Sequence, residues 1–540
     1  MNTFHPLDWL VVGAYFAVLL GVALWVLRQK QETPTDYFLA GRHIGWFVIG
    51  ASIFASNIGS EHIVGLAGTG AKTGVAMGLY ELHSWLALLL GWVFIPFYLR
   101  SRVFTMPEFL EKRYSPSARW FLSLVMLVGY VLTKVSVTVY AGAVVFQVLM
   151  GFDFWTGALI VVVLTGIYTV AGGLRAVIYT EAVQMVVLIA GSVAVTVIGL
   201  VKIGGLSGLV ATAGSDHLNL FLPADHPEFP WPGMLIAPPI VGLWYWCTDQ
   251  YIVQRVLAAR DETQARRGTI WAAYLKLLPF FIFLIPGVIA FALARTGQIE
   301  LESADQAFPV MVKTLLPVGL RGLVAGGLLA ALMSSLAAVF NSCSTLFTMD
   351  IYKKLRPATS ERSLVTVGRI ATAVVVVFGI LWIPLMQNIS GELYHYLQSV
   401  QAYIAPPIAV VFFLGLFWKR LNAAGAMTAL VGGFVLGMAR LVAELNKDAL
   451  GGFLYWFADV NFLYFAILLT AVCVVLLIGV SLMYPAPGIE QIRGLTYATT
   501  MAEDRERSRA SWNARDVILS LIVIVVLAAI IVYFSPLGVG

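Results

Sequence analysis

The sequence predicts an all-α polytopic membrane protein with about fourteen transmembrane helices, and three observations carry that prediction. First, of 540 residues 60% are hydrophobic and only 12% charged, and the mean hydropathy is +0.87. A soluble chain carries about 45–50% apolar and about 25% charged residues, so this balance weighs against a water-soluble enzyme and against disorder. Second, apolar runs of about twenty residues, the length that crosses a bilayer, recur along the whole chain. Third, the basic residues gather in alternate gaps between runs. Counting gaps from an outside start, 25 of the 34 Lys and Arg fall inside, seven outside and two within spans. Positive charge stays on the inner face, and a miscounted helix would invert every later gap.

The first span, 7–28, is expected to be retained. A secretory leader begins with basic residues, whereas here Arg28 and Lys30 follow the span. The second, 46–70, contains GASIFASNIGSEH at 50–62. Glycine, serine and asparagine weaken a helix and offer competing local hydrogen bonds. Unwound backbone at this depth is tolerated only inside protein or along a cavity, where its carbonyl oxygens become available. Spans 77–99, 120–150, 154–171 and 176–201 follow, and the long run 120–150 must tilt or bend.

The seventh span, 233–256, holds Pro238 and Pro239, which remove helical donors and favour a second break. Trp244, Tyr245 and Trp246 sit near its middle rather than at the membrane surface, where lipid-belt aromatics gather. Their flat faces suit stacking on a sugar ring; ordinary bundle packing is the alternative, and the favoured one for Trp244. Spans 268–294, 309–350, 364–387, 393–417, 423–445, 457–484 and 513–535 complete the set. The polar stretch 485–512 is expected to be a solvated linker with a short surface helix.

The two interrupted spans lie five apart. Paired broken helices at corresponding positions point to a transporter site, and an odd interval makes the repeats inverted. This predicts a five-plus-five core over 46–417 with two discontinuous helices. Repeat one and the start of repeat two lie in 46–256, the second repeat in 233–417. One extra helix precedes the core and three peripheral helices, 423–535, follow it.

Ionisable residues within spans are costly and therefore candidates: Glu61, His62, Glu81, His83, Lys134, Glu181, Asp249, Lys276, Asp350 and His395. In ALMSSLAAVFNSCSTLFTMD (331–350), Ser334 and Ser335 lie one turn beyond Ala331. Their hydroxyls and the Ala331 carbonyl face one spot, and carbonyls from a break near Ala55–Ile58 add to it. About five neutral oxygens suit sodium, whereas zinc or copper would want nitrogen or sulfur. Close helix packing by small residues explains the serines equally well. Cys247, Cys343 and Cys473 are widely spaced, and the seven histidines show no ligand spacing. Neither a zinc site nor a membrane-embedded enzyme is supported. No basic stripe for nucleic acid is present.

FASNIGSEHIVGLAGTG (54–70), WYWCTDQYIVQRVLAA (244–259), LMSSLAAVFNSCSTLFTMDIY (332–352) and YLQSVQAYIAPPIAVVFFLGLFWKR (396–420) closely resemble the sodium/solute symporter family. The match is to its sodium–glucose branch, with the sodium–myo-inositol cotransporters nearby, over about residues 35–485. The resemblance implies alternating access and uptake of a neutral hexose driven by sodium, with no other cofactor. The bacterial inner membrane would be the location, with both termini outside, and lipid, sodium and sugar the partners.

Carried over by motif, the sodium ligands would be carbonyls of Ala55, Ile58 and Ala331 with hydroxyls of Ser334 and Ser335. The sugar site would be Asn57, His62, Glu81, Tyr245, Trp246, Lys276 and Gln398, with Ser84 a weaker addition. Tyr245 would be the inner gate, and Leu66, Tyr80 and Tyr394 the outer one. Asp249, Asp350 and Lys134 are expected to form structural pairs. Glu181 stands where some relatives use an acid for a second sodium, but Ala337 and Ala338 lack the accompanying hydroxyl, which predicts one sodium per sugar. Gly242 stands where some relatives place a polar sugar-binding side chain. A myo-inositol symporter and a non-transporting sugar sensor remain as alternatives.

Overall fold

A computed structural model describes residues 4–28, 32–59, 61–386 and 393–540. The described residues are helical, joined by turns and short loops. Along the chain, α1 is Pro6–Leu27 and α2 is Trp46–Asn57. The helix resumes as α3 over 61–73, followed by the short α4, Gly78–Glu81, and by α5 over 84–101. The short α6, Met106–Arg113, leads to α7, Pro116–Met150. One long run, α8, covers Phe154–Lys202 but bends at Gly173, where φ is +56°. Next come α9 (Trp231–Cys247), α10 (Gln250–Leu257), α11 (Glu262–Leu275), α12 (280–295) and α13 (Ala307–Leu315). The remainder are α14 (Leu320–Leu355), α15 (Glu361–Met386), α16 (Leu393–Phe417), α17 (Ala423–Leu445), α18 (Phe462–Met483), α19 (Ala502–Ala510) and α20 (Ala514–Tyr533).

By length and composition, ten helical runs among the described residues are apolar enough to cross a membrane. Their burial grades from centre to edge. The most apolar stretch of α14 is 94% buried and that of α11–α12 78%, against 28% for α1 and 22% for α20. The central helices therefore pack on protein at nearly every face, while the first and last turn large apolar faces to lipid.

Two expectations from the sequence shift. The prolines at 238 and 239 do not break their span, because both are accommodated inside α9. A proline φ fits a helix, and the cost is confined to two missing N–H groups. The interruption falls later, at Thr248–Asp249, where Asp249 turns extended (ψ 126°) and its carboxylate caps α10 by accepting from the Tyr251 N–H. The long run 309–350 is not one helix. It stops at Leu315 and restarts at Leu320, because Pro317 cannot continue a hydrogen-bonded turn and Gly319 takes φ +88°. The stretch 485–512 is mostly exposed and carries a surface helix at Ala502–Ala510, as expected, with a few tethers to the core. The Tyr497 ring packs against Phe97 and Phe417, Asp504 pairs with Arg100 at 3.4 Å, and Ser508 donates to Glu262 at 2.5 Å.

One packing contact positions the polar centre. At Gly50 a Cβ would sit 2.7 Å from the Gly268 carbonyl and 2.9 Å from the Trp271 Cβ. Only glycine lets α2 and α11 approach this closely, and the approach carries the end of α2 toward the end of α11.

Candidate functional site

The side chains at the centre of the molecule come from places where helices stop. Asn57 is the last residue of α2, because Ile58 leaves the helix with ψ 93°. The chain turns at Gly59, whose carbonyl accepts from His62 N–H (3.1 Å) and Ile63 N–H (3.2 Å). Glu81 ends α4, and Leu82 and His83 are non-helical before α5 begins. Lys276 caps α11, since Pro279 supplies no N–H to extend it.

These ends meet. The Lys276 ammonium donates to Asn57 Oδ1 (2.9 Å) and Glu81 Oε2 (2.5 Å), and its Nζ lies 3.2 Å from His62 Nε2. His62 Nε2 is also 3.0 Å from Glu81 Oε2, and Asn57 Nδ2 donates to the Tyr245 hydroxyl at 3.1 Å. One carboxylate and one ammonium thus offset each other where solvent does not reach. The cavity beside them is lined by Asn57, His62, Glu81, Tyr245, Trp246, Lys276 and Gln398. Tyr80, His83, Gly242 and Gln401 also line it. Of the eight sugar residues expected from the sequence, seven therefore share one cavity. Ser84 does not: its hydroxyl is buried on α5 without a partner, away from the lining.

Next to this cavity, the Ser335 hydroxyl of α14 reaches the unwound end of α2, 3.5 Å from the Ile58 carbonyl and 3.3 Å from that of Ser56. Ser334 turns elsewhere and donates to Glu181 Oε1 at 3.0 Å. Ala55 and Ala331 are buried on the same two helices, which pack against each other. The Ser56 carbonyl, absent from the expected set, accepts from both Ser335 and the Tyr251 hydroxyl.

The carboxylate of Glu181 is itself saturated. Arg255 donates at 2.9 Å, Ser56 at 2.8 Å, and Ser52 and Ser334 complete its shell. Lys134 pairs with Asp249 at 2.8 Å beneath Tyr245, its ammonium 4.7 Å from that ring centre. Asp350 pairs with Arg119 at 2.6 Å. Of the gate residues, Tyr80 lines the cavity and Leu66 is fully buried at the first turns of α3. The Tyr394 side chain lies outside the described residues.

Two residues that matter here were given no role from the sequence. His83 is one of seven scattered histidines on an apolar run and offers no spacing signal. Asp8 reads as part of the first span, yet it is buried and accepts from Arg321 (2.6 Å) and from the Gly319 and Gly322 N–H groups. That contact ties α1 to the start of α14.

A family model described as the sodium:solute symporter family matches residues 37–433. Sodium/myo-inositol cotransporter 2 of Mus musculus is 39% identical over 537 residues, covering 92% of this chain and 80% of that protein. Sodium/glucose cotransporter 1 of Ovis aries is 39% identical over 517 residues, covering 87% and 78%. Among solved structures, a substrate-bound, outward-open sodium-coupled sialic acid symporter superposes with a TM-score of 0.78 at 23% identity, over 90% of this chain and 99% of that one. At that identity the likeness concerns the fold.

Proposed function

The chain belongs to the sodium:solute symporter family, and from that premise we propose that it carries a neutral hexose, such as glucose or galactose, into the cell together with sodium. The observation that carries this reading is the juxtaposition at the centre of the molecule. A polar cavity built from helix ends adjoins an unwound backbone stretch that a serine hydroxyl meets. A hexose offers hydroxyls that both donate and accept, and the cavity presents acceptors (Glu81), donors (Lys276) and groups that do both (Asn57, Gln398). The proposed sodium ligands are the carbonyls of Ala55, Ile58 and Ala331 with the hydroxyls of Ser334 and Ser335. Support comes from Ser335, which already contacts the Ile58 carbonyl.

One sodium moves with each sugar in this reading. Glu181 is engaged by Arg255 and three serines, and no hydroxyl follows the serine pair at Ala337 and Ala338. Each cycle then moves one positive charge inward, which gains about 2.3 kcal/mol per 100 mV. Sodium and sugar are coupled because both favour the same state. Transport of myo-inositol is the second reading, since the chain is as similar to a cotransporter named for myo-inositol as to one named for glucose, 39% identical to each. The distribution of Lys and Arg supports a membrane protein with both termini outside.

The test is uptake into proteoliposomes of labelled glucose, galactose and myo-inositol under a sodium gradient. Accumulation of at least one is expected. Ser335→Ala should raise the sodium concentration for half-maximal uptake about fivefold, as the loss of one interaction of about 1 kcal/mol predicts. Gln398→Ala should raise the sugar concentration instead. Sodium-independent equilibration would sink the symport reading, binding without flux would leave a sensor, and two sodium ions per sugar by flux ratio would refute the stoichiometry.

A further inference from the structure

The cavity contains two classes of polar atom. Lys276, Glu81, Asn57 and Tyr245 are joined to one another. Four other buried atoms on the same wall have no hydrogen-bond partner: His83 Nε2, Gln398 Oε1, Tyr80 Oη and His62 Nδ1. A buried polar atom without a partner costs about 1–3 kcal/mol, and four around one cavity mark the place where a ligand's own polar groups make up the deficit.

His83 is the unexpected member. Its position follows from the non-helical pair Leu82–His83, which turns the chain between α4 and α5 and brings the imidazole to the cavity. The ring stands against Gly242 of α9, where a Cβ would lie 3.2 Å from Nδ1 and 2.4 Å from Leu86 Cδ1. A bare Cα at 242 therefore leaves the room that the imidazole takes. Tyr80 flanks it with ring centres 5.7 Å apart.

We propose that His83 is a substrate-contacting, specificity-determining residue whose Nε2 meets one hydroxyl of the transported sugar or polyol, while Gln398 Oε1 accepts from another. The inference rests on the sugar-transport reading above and adds a contact to it. Imidazole Nε2 donates in one tautomer and accepts in the other, and a hydroxyl answers either. A carboxylate or an ammonium answers only one. A hydroxyl-rich substrate therefore answers both atoms in either tautomer. Losing such a contact is read most sharply by a substrate that lacks the same hydroxyl, because the two losses then do not add.

The experiment measures sodium-driven uptake of glucose, galactose, myo-inositol and a set of monodeoxy hexoses by the full-length wild type, His83→Ala and Gly242→Ala in proteoliposomes. His83→Ala should raise the half-saturating sugar concentration about 5- to 10-fold and leave the half-saturating sodium concentration, at saturating sugar, unchanged. One deoxy analogue, transported poorly by the wild type, should suffer no further loss in His83→Ala. Gly242→Ala, whose methyl crowds Leu86 and the imidazole without removing the ring, should weaken the same hydroxyl's contribution and provides the readout if His83→Ala does not insert. Equal deoxy penalties in wild type and variants would overturn the assignment while leaving sodium-driven uptake intact. Absence of any sugar uptake by the wild type would instead remove the premise.

Discussion

Two buried ionic clusters in this molecule look alike on paper and differ in one respect. Around Asp350, Arg119 approaches to 2.6 Å, Thr105 donates at 2.7 Å and Ser123 at 3.1 Å, while the rest of the guanidinium is taken by Glu111 and the Met349 carbonyl. Around Glu81, the Lys276 ammonium, His62 and Asn57 form an equally close group. Yet that second group borders a cavity whose wall holds four polar atoms without partners. Charge in the membrane therefore does not by itself mark a working site. Unanswered hydrogen-bonding capacity beside a cavity does, and the saturated cluster is a joint between α6, α7 and α14 that holds the fold.

The comparison breaks if the two clusters respond alike to the loss of one partner. The largest effect is expected at the saturated one. Arg119→Ala strands Asp350 in a site where it is fully buried, a loss of about 3–5 kcal/mol. The detergent-solubilised protein should show a large fall in Tm and poor membrane yield; an unchanged Tm would show that Asp350 is not held by this pair. Lys276→Gln should do less to stability, because His62 stays 3.0 Å from Glu81. Its principal cost should be sugar affinity, weakened about tenfold or more, as hydrogen bonds to charged groups worth about 1.5–3 kcal/mol imply. Binding isotherms and Tm taken on the same preparations separate the two outcomes.

The smallest effect sharpens the picture at the membrane edge. Burial pushes the Glu111 carboxyl up, but hydrogen bonds from Lys354 and Arg119 outweigh it and hold the group below the ordinary value of 4.5. A depressed folded-state value adds stability above the unfolded carboxylate's range, and that stability is lost as pH falls through the folded value. Tm should thus fall on acidification below about 4.5 in the wild type and less steeply in Glu111→Gln. The difference should be small, because Glu111 is only partly buried and its partner Lys354 is exposed to solvent.

Much of this was legible in the chain. The break after Asn57 announces itself in a run of glycine, serine and asparagine, and the serine pair of α14 stands out against its apolar surroundings. The break in the α9–α10 span was misplaced because two prolines are a louder signal than the Thr-Asp-Gln that caps a helix, although the second decides where the chain turns. Pro317 and Gly319 sat unheeded inside a long apolar run. His83 could not be found from spacing, since what singles it out is the vacant Cα of Gly242, 159 positions away in sequence. Pairings such as Asp8 with Arg321 likewise exist only once distant segments are brought together.

Asn57, Glu81 and Lys276 all sit where a helix ends, not along a rod. A machine whose fingers are mounted on its knuckles cannot bend without changing its grip. Any rocking of these segments must loosen or tighten the hold on cargo in the same movement, so carrying and releasing need no separate trigger.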